Sequence, residues 1–165
     1  MPLRARAPRL ADAEAIARIY NEGIAGRLAT FETRERTVAD IEGWLDAGFP
    51  LVVVEDEDAH VLAWASAPPY RAHRDVYHGV GDFSVYVAGE ARGRGAGRTA
   101  MEALAAEAQA RGFWKLVGRI FPENEPSLAL CRQLGFREVG VYERHAQLDG
   151  AWRDVVIVEL LLDAG

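Results

Sequence analysis

A short run rich in arginine and glycine has the residue types of an anion-binding turn. Glycine alternates with arginine or alanine, and an arginine ends the run: Arg92, Gly93, Arg94, Gly95, Ala96, Gly97 and Arg98. Glycine leaves backbone N–H groups unobstructed, and N–H groups at the start of a helix attract anions. The run therefore predicts a phosphate or pyrophosphate site, although on these residues alone an ordinary tight turn is the alternative.

A carboxylate and two arginines precede this run and have the chemistry of an amine site. Asp82 begins an apolar segment, and Arg71 and Arg74 lie in the polar and aromatic stretch of residues 70–81. A carboxylate can accept a proton from an amine or hold an ammonium group, and a guanidinium pairs with a carboxylate or phosphinate. The alternatives are a surface carboxylate at a strand edge and solvated loop arginines.

Length and composition favour one globular domain over residues 1–165, which can bury about 70% of the unfolded surface. A net charge of -6 argues against general nucleic-acid binding, which requires a basic surface. The single cysteine, Cys131, excludes an internal disulfide and is typical of a reducing compartment. Because the first residues are charged and no apolar run has membrane-spanning length, we expect a cytoplasmic protein with no membrane partner.

The spacing of apolar residues predicts a mixed α/β fold with seven strands and four helices. Helices are predicted from residue 12 to about 26, after the Thr37 and Asp40 capping pattern to about 48, over 99–110, and from 126 to about 135. Strands are predicted at residues 3–6, 51–54, 60–67, 82–87, 116–120, 136–142 and 154–161. No repeat or linker interrupts this order, so the glycine-rich run joins a strand to a helix.

Three motifs, taken in order, resemble the GNAT superfamily of N-acetyltransferases at the spacing of that family. They are Ser84-Val85-Tyr86-Val87, residues 92–97, and Asn124 and Ser127 followed by Leu134-Gly135-Phe136. Nearly the whole chain resembles the phosphinothricin acetyltransferase branch, which includes arsinothricin, methionine sulfoximine and methionine sulfone acetyltransferases. That closer resemblance is carried by Asn21, Thr30-Phe31-Glu32, Asp82 and the tail at residues 150–155.

The resemblance implies an acyl-CoA N-acyltransferase fold and an acyltransferase that uses acetyl-CoA. The implied fold is a mixed, mostly antiparallel seven-stranded sheet, flanked by about four helices and splayed where the cofactor enters. Val85, Tyr86 and Val87 would offer backbone partners to the pantetheine arm and the thioester carbonyl. Residues 92–98 would surround the pyrophosphate, and Asn124 and Ser127 would contact the far side of the cofactor. A homodimer is implied as well, and a metal is not.

The implied reaction is direct acetylation of a small amino-acid analogue in a ternary complex, which would detoxify it. An α-amine with a pKa near 8 is roughly a tenth neutral at pH 7, a cost of about 1.4 kcal/mol, against about 4.6 for lysine. Asp82 is the candidate base, with a bridging water because the branch usually has the longer glutamate there. Arg71 and Arg74 would bind the anionic groups of the substrate, and Phe31 and Glu32 would close the pocket.

The same resemblance implies two further catalytic candidates, Tyr86 and Cys131. A β-bulge near Tyr86 would aim a backbone N–H at the oxyanion. Cys131 stands where the superfamily commonly has a tyrosine that protonates the thiolate of coenzyme A, although a buried cysteine is more often a packing residue. Tyr142 and His145 are reserve candidates, and neither has the spacing of a metal site with another histidine.

Two other functions remain open from the sequence. The first is a protein N-terminal or lysine acetyltransferase of the same fold, which would need an open groove for a peptide. The second is a non-catalytic acetyl-CoA-binding sensor, an interpretation kept open by the cysteine at position 131.

Overall fold

Eight strands and four α-helices follow one another along residues 2–162, the part of the chain that this computed structural model describes. The helices are α1 Ala13–Ala25, α2 Val38–Ala47, α3 Ala96–Ala110 and α4 Glu125–Gln133. The strands are β1 Arg4–Arg6, β2 Leu51–Glu55, β3 Val61–Ser66, β4 Val80–Asp82, β5 Ser84–Val87, β6 Lys115–Ile120, β7 Arg137–Leu148 and β8 Ala151–Leu161. The expected mixed, mostly antiparallel α/β architecture is confirmed.

The strands form two four-stranded sheets, in the orders β1-β2-β3-β5 and β4-β6-β8-β7. All the pairs are antiparallel except β4 with β6. Neighbouring β5 side chains contact different helices: the Tyr86 ring lies against Gly23 of α1, and Val87 lies against Gly97 of α3. Because successive side chains of a strand point to opposite faces, α1 and α3 cover opposite faces of the first sheet.

The chain passes from one sheet to the other at Phe83, which divides the single strand predicted over residues 82–87. Phe83 N donates to Val117 O of β6 at 2.9 Å, and this is the last bond to β6 before β5 continues beside β3. The Phe83 ring occupies the space above Gly118, where an added Cβ would lie 2.3 Å from a ring atom. The Phe83 ring thus packs on β6 at the residue where the chain changes sheets. Because the chain breaks there, the described residues contain eight strands instead of the seven expected.

Two other boundaries differ from the prediction. Helix α3 begins at Ala96 and not at residue 99, so the glycine-rich run includes its first turn. Strands β7 and β8 extend toward each other to Leu148 and Ala151, because Asp149 and Gly150 have φ values of 51° and 81° and form a tight hairpin turn. The longer hairpin matters because it carries side chains toward the site described below.

The remaining local predictions agree with the structure. Thr37 and Asp40 form the expected capping box of α2, and Gly48 ends that helix in the left-handed conformation, with φ at 72°. Among residues 2–162, no helix combines the length and the apolar character that crossing a lipid bilayer would require.

Candidate active site

The glycine-rich turn exposes a series of free amides at the start of α3. Gly93 and Gly95 have φ values of 80° and 83°, a left-handed conformation that favours glycine. A Cβ added at either position would meet no atom within 4 Å, so the outer side of the turn is open. Within residues 2–162, the N–H groups of residues 92–98 have no hydrogen-bond acceptor. The turn therefore presents the unobstructed donors that an anion needs.

The charge around this turn is positive. Arg92 and Arg94 are exposed, and no carboxylate of the described chain lies within ion-pair distance of either. Arg98 pairs with Glu102 at 2.7 Å, one turn further along α3. The first turn of α3 contains no acidic residue. Because the start of a helix also carries partial positive charge, backbone and side chains favour the same anionic ligand.

The amides of Val85 and Val87 face the gap between the two sheets. The even-numbered residues of β5 form its hydrogen-bonded pairs with β3, as the bond from Ala88 N to Leu62 O at 2.8 Å shows. Alternate residues of an antiparallel ladder point their N–H and C=O groups in opposite directions. Val85 and Val87 therefore direct theirs away from β3, whereas the Tyr86 N–H is directed toward it. The prediction that Tyr86 also offers its amide does not fit this register.

A narrow slot, about 50 Å³ in volume, lies between β5 and β6 below the split at Phe83. It brings together Val85, Tyr86, Asn124, Ser127 and Cys131, five of the residues predicted from the sequence. The Asn124 side chain also begins α4, where its Oδ1 accepts a hydrogen bond from Ser127 N at 3.4 Å. The residues that line the slot come mainly from β5, β6 and α4, and its small volume excludes a bulky ligand.

Tyr86 has a largely structural environment. Its ring is buried, stacks on Trp64 at 5.0 Å between centroids and lies 4.9 Å from the ring of Tyr20. Burial raises the pKa of the Tyr86 hydroxyl well above its ordinary value. A phenol that holds its proton so tightly is a poor acid at neutral pH, and its ring serves to pack β5 against α1.

Cys131 lines the slot from α4 and keeps its proton. The side chain is buried, and burial, with a smaller effect from Glu138, raises the pKa of the thiol to about 11. The ordinary value for this thiol is about 9.0, so Cys131 is the weaker acid. The position fits the predicted contact with the cofactor, but the chemistry does not favour proton donation to a thiolate.

A second cavity, which we call the side pocket, has a volume of about 490 Å³ and lies over β4, β6 and β8. It brings together Arg71, Asp82, Tyr142 and His145, which are far apart in the sequence. Arg119 lines both the slot and the side pocket, so the two cavities meet at this residue. The slot and the side pocket can therefore hold two ligands that approach each other at the split.

Asp82 is not an isolated carboxylate. Arg119 Nη2 donates to Asp82 Oδ2 at 2.6 Å, and the two side chains are 25% and 49% exposed for Asp82 and Arg119 respectively. Sequence reasoning missed Arg119. The available signal was one charged residue near the end of an otherwise apolar strand, with Ile120 beside it. Its importance follows from the parallel pairing of β4 with β6, which sequence periodicity does not reveal.

The two predicted substrate-binding arginines have different positions. Arg71 lines the side pocket, has φ at 46° and lies with its guanidinium 5.3 Å from the Tyr70 ring centroid. Positive φ is uncommon for a residue with a side chain and is often found near functional sites. Arg74 is exposed, precedes a short 3-10 turn at Asp75–Tyr77 and lines neither cavity. The structure therefore brings Arg71 to the candidate site and leaves Arg74 outside.

Phe31 and Glu32 lie in the connection between α1 and α2 and do not line either cavity. Phe31 packs edge to face on Phe121, at 4.8 Å between centroids, in a small apolar cluster under the β7–β8 hairpin. Glu32 is exposed and pairs with Arg36 at 2.9 Å. Their neighbour Ala29 does line the slot, so this connection borders the site even though the two predicted side chains point elsewhere.

The β7–β8 hairpin supplies the far wall of the side pocket. Strand β7 bulges between Tyr142 and Ala146, where Arg144 has φ at 47° and its N–H donates to Asp154 Oδ1 at 2.8 Å. The bulge places the rings of Tyr142 and His145 together, 4.9 Å apart between centroids. These reserve candidates therefore lie at the site, because a bulge can redirect side chains that a regular strand would hold apart.

One group of potential metal ligands occurs within residues 2–162, in the turn between β2 and β3. Asp56, Asp58 and His60 bring ligand atoms within 4.8 Å of one another. Asp56 Oδ1 accepts hydrogen bonds from the backbone N–H groups of the other two residues, both at 2.9 Å. These bonds form an ordinary polar turn, and the group lines neither the slot nor the side pocket.

Comparison with known proteins identifies a family and similar folds. The model of the acetyltransferase (GNAT) family matches residues 15–136. An L-methionine sulfoximine/L-methionine sulfone acetyltransferase of Pseudomonas paraeruginosa is 32% identical, with 93% of this chain and 91% of the relative covered. A GNAT superfamily phosphinothricin acetyltransferase of Sinorhizobium meliloti, solved in complex with AcCoA, has TM-score 0.92 and 30% identity over 100% of this chain and 91% of that one. A ribosomal-protein-alanine N-acetyltransferase of Brucella melitensis has TM-score 0.90 and 33% identity, covering 96% and 99%.

Proposed function

The chain belongs to the acetyltransferase (GNAT) family and is an acyltransferase, and we propose that it acetylates the α-amine of a small amino-acid analogue. The proposed substrates are of the phosphinothricin, arsinothricin or methionine sulfoximine type, and their acetylation would confer resistance. One observation carries the proposal: a side pocket with Arg71 and Asp82 meets the slot at Arg119. The names of similar acetyltransferases support the same substrate class.

The proposed position of acetyl-CoA follows the free backbone donors. The pyrophosphate would lie on the amides of residues 92–98, with the charge of Arg92 and Arg94 nearby. The pantetheine arm would run through the slot along β5 and pair with the backbone of Val85 and Val87, while Asn124 and Ser127 would contact it from the α4 side. The thioester would then lie close to the junction with the side pocket, where an amine can reach it.

The reaction that we propose forms one bond and breaks one. The neutral amine nitrogen attacks the thioester carbonyl carbon, so the new C–N bond forms as the C–S bond breaks and coenzyme A leaves as a thiolate. Negative charge develops on the carbonyl oxygen, and the gap-facing N–H of Val85 is the proposed donor to it. The amine gives up one proton and the thiolate gains one, so no oxidant, reductant or metal is needed.

Asp82 is the proposed partner of the substrate amine. Its carboxylate lies in the side pocket and is part exposed, so it can hold an α-ammonium group or accept its proton through a water. The competing bond from Arg119 keeps the carboxylate in one orientation. The α-ammonium group of a free amino acid is mostly protonated at neutral pH, so a proton acceptor is needed before the nitrogen can attack.

The proton for the thiolate is expected to come from solvent. Cys131 has a pKa of about 11, so its transfer of a proton to an ordinary thiolate is uphill. Of the earlier catalytic candidates, Asp82 therefore keeps its proposed role, whereas Cys131 and the Tyr86 side chain are proposed to pack the slot.

We propose further that residues 1–165 form one catalytic domain and that it works as a homodimer in the cytoplasm. Strand β7 is a sheet edge that is exposed along most of its length. Exposed apolar side chains lie on the β7–β8 hairpin: Val139, Val141, Tyr142, Trp152 and Leu161. An apolar edge of this kind is a candidate surface for a second copy. The free cysteine is compatible with a reducing compartment.

A peptide substrate is the second candidate, and one finding favours it. The similar structure from Brucella melitensis is named as a ribosomal-protein-alanine N-acetyltransferase, which acts on a protein. The side pocket would then hold only the terminal residue of a longer chain. A non-catalytic sensor is the third candidate, because Cys131 is a poor acid.

The experiment that separates these candidates measures free thiol released from acetyl-CoA. The panel contains phosphinothricin, arsinothricin, methionine sulfoximine, methionine sulfone, alanine-starting peptides, lysine peptides and a blank without amine. We expect turnover with the amino-acid analogues and little with peptides. Turnover with peptides alone would refute the proposed substrate class. Binding of acetyl-CoA without turnover on any amine would favour the sensor.

A further inference from the structure

Arg119 lines the side pocket and has unused hydrogen-bond donors. The odd-numbered residues of β6, Lys115, Val117 and Arg119, share the face that lines this pocket. Lys115 is committed to Glu159 through an ion pair of 2.6 Å. Arg119 uses Nη2 for Asp82, and within residues 2–162 its Nε and Nη1 have no acceptor. A guanidinium with free donors on one side can bind a second anion without releasing the first.

The charges in the side pocket predict the charges of its ligand. Lys115 already has an anionic partner, because Glu159 bonds it and Arg137 together. Among the other charged residues that line the pocket, two guanidinium groups remain, on Arg71 and Arg119, with the carboxylate of Asp82. No carboxylate of the described chain lies within ion-pair distance of Arg71. The electrostatic complement of two cations and one anion is a ligand with one ammonium and two anionic groups. A zwitterion with a neutral side chain would leave one guanidinium without a partner.

We propose that Arg119 is a specificity-determining residue that binds the acidic side-chain group of the substrate while Arg71 binds the α-carboxylate. The proposal rests on the function proposed above and narrows it to amino acids with a phosphinate, arsenic-acid or carboxylate side chain, in preference to neutral sulfones. Because Arg119 also contacts Asp82, the acidic group and the amine of the substrate are placed together at the mouth of the slot.

The test compares one acidic and one neutral substrate of similar length, phosphinothricin and methionine sulfone. In the Arg119→Gln variant, we expect KM for phosphinothricin to rise about tenfold or more, because a charge-assisted bond is lost. KM for methionine sulfone should change less than about twofold. Any loss of orientation at Asp82 lowers kcat for both substrates equally, so the ratio of the two KM changes isolates the specificity role.

Two further variants complete the experiment. Arg119→Lys keeps the positive charge but lacks the paired donors of the planar guanidinium. Compared with Arg119→Gln, it should recover part of the preference for phosphinothricin. The matched control is Arg111→Gln: Arg111 is 42% exposed, pairs with Glu107 at 2.8 Å and lies at the end of α3, away from both cavities. That control should leave both KM values unchanged. Equal KM changes for the two substrates in Arg119→Gln, or no change for either, would overturn the proposal.

Failure of the proposed function gives a different result. If the unaltered protein acetylates neither substrate, the proposed function fails, and calorimetry of phosphinothricin binding to the protein saturated with coenzyme A then decides the role of Arg119. Binding that Arg119→Gln weakens about tenfold would support the anion site. Absence of binding, or binding that the substitution leaves unchanged, would reject it.

Discussion

The glycine-rich turn and the side pocket recognise charge in different ways. The turn uses backbone N–H groups of consecutive residues, with Gly93 and Gly95 exposing them. The side pocket uses side chains that come from separate elements: Arg71 from a loop, Asp82 from β4 and Arg119 from β6. The turn is thus defined over a few residues, whereas the pocket exists only after the sheets have assembled.

This difference has consequences for what each region can tolerate. Amides do not depend on side-chain identity, so the turn is sensitive to backbone conformation and to any Cβ that blocks the donors. The pocket depends on the charge and length of particular side chains, and is sensitive to their replacement even when the backbone is unchanged. Substitutions in the two regions should therefore alter different kinetic quantities.

The largest expected effect is a fall in kcat, caused by a substitution in the side pocket. Asp82→Asn removes the group proposed to receive the proton, and kcat should fall about 100-fold, the lower end of the contribution of a general base. The dissociation constant for acetyl-CoA, measured by calorimetry, should stay within about twofold. The charge-matched control is Glu107→Gln on the surface of α3, which should retain full activity. If Asp82→Asn weakened acetyl-CoA binding as much as it lowered kcat, the side pocket and the turn would not act on separate kinetic quantities.

The next largest expected effect is weaker binding of the cofactor, caused by a substitution in the glycine-rich turn. Gly95→Ala adds a Cβ to a residue with φ at 83°, and the dissociation constant for coenzyme A should rise about tenfold as the amides shift. Gly112→Ala is a close control, because Gly112 has φ at 87° and equally open surroundings but lies at the far end of α3. Both variants should lose about 1 kcal/mol of unfolding free energy, measured by denaturant titration. If both weakened coenzyme A binding equally, strain and not donor geometry would be the cause.

A smaller effect separates the two loop arginines. Arg71→Gln should raise KM for the amino-acid substrate about fivefold, the effect of losing a part-exposed ion pair worth about 1 kcal/mol. Arg74→Gln should raise KM less, because Arg74 lines neither cavity. Steady-state kinetics at saturating acetyl-CoA measure both. A larger increase in KM for Arg74→Gln than for Arg71→Gln would indicate that the substrate binds nearer to Arg74, outside the side pocket.

The smallest expected effect concerns Cys131. Cys131→Ser should change kcat at pH 8 by less than about twofold, because a thiol with a pKa of about 11 is not expected to supply the proton. In the folded protein, alkylation of this thiol at pH 8 should be about 100-fold slower than in the denatured protein, where the pKa returns to about 9.0. Since folding raises this pKa, its contribution to stability is present below about pH 9.0 and decreases as the pH rises toward 11. Rapid alkylation of the native protein would contradict the buried, protonated thiol.

Local patterns in the sequence predicted much of the fold and one half of the site. The capping box at Thr37 and Asp40, the glycine that ends α2 and the glycine-rich turn all depend on neighbouring residues, and the structure contains each of them. The sequence places the start of α3 too late, because glycines are typical of a turn and not of a first helical turn. The hairpin was predicted too short, although Asp149 and Gly150 are a recognised turn pair.

The other half of the site depended on contacts between distant residues. The break at Phe83 requires Gly118 on another strand to leave room for the ring, and periodicity treats residues 82–87 as one strand. Arg119 reaches Asp82 across a span of 37 residues because β4 and β6 are parallel neighbours. Likewise, the bulge in β7 decides that Tyr142 and His145 face the side pocket.

By itself the sequence determined a mixed α/β chain with free amides at the start of α3, because helix starts, glycine turns and strand alternation follow from adjacent residues. Only the tertiary structure decided which amides of β5 are free, which arginine meets Asp82 and where the slot joins the side pocket. Those relations arise from strand register and from the divergence of the two sheets. Both are set by packing between segments that are far apart in the sequence.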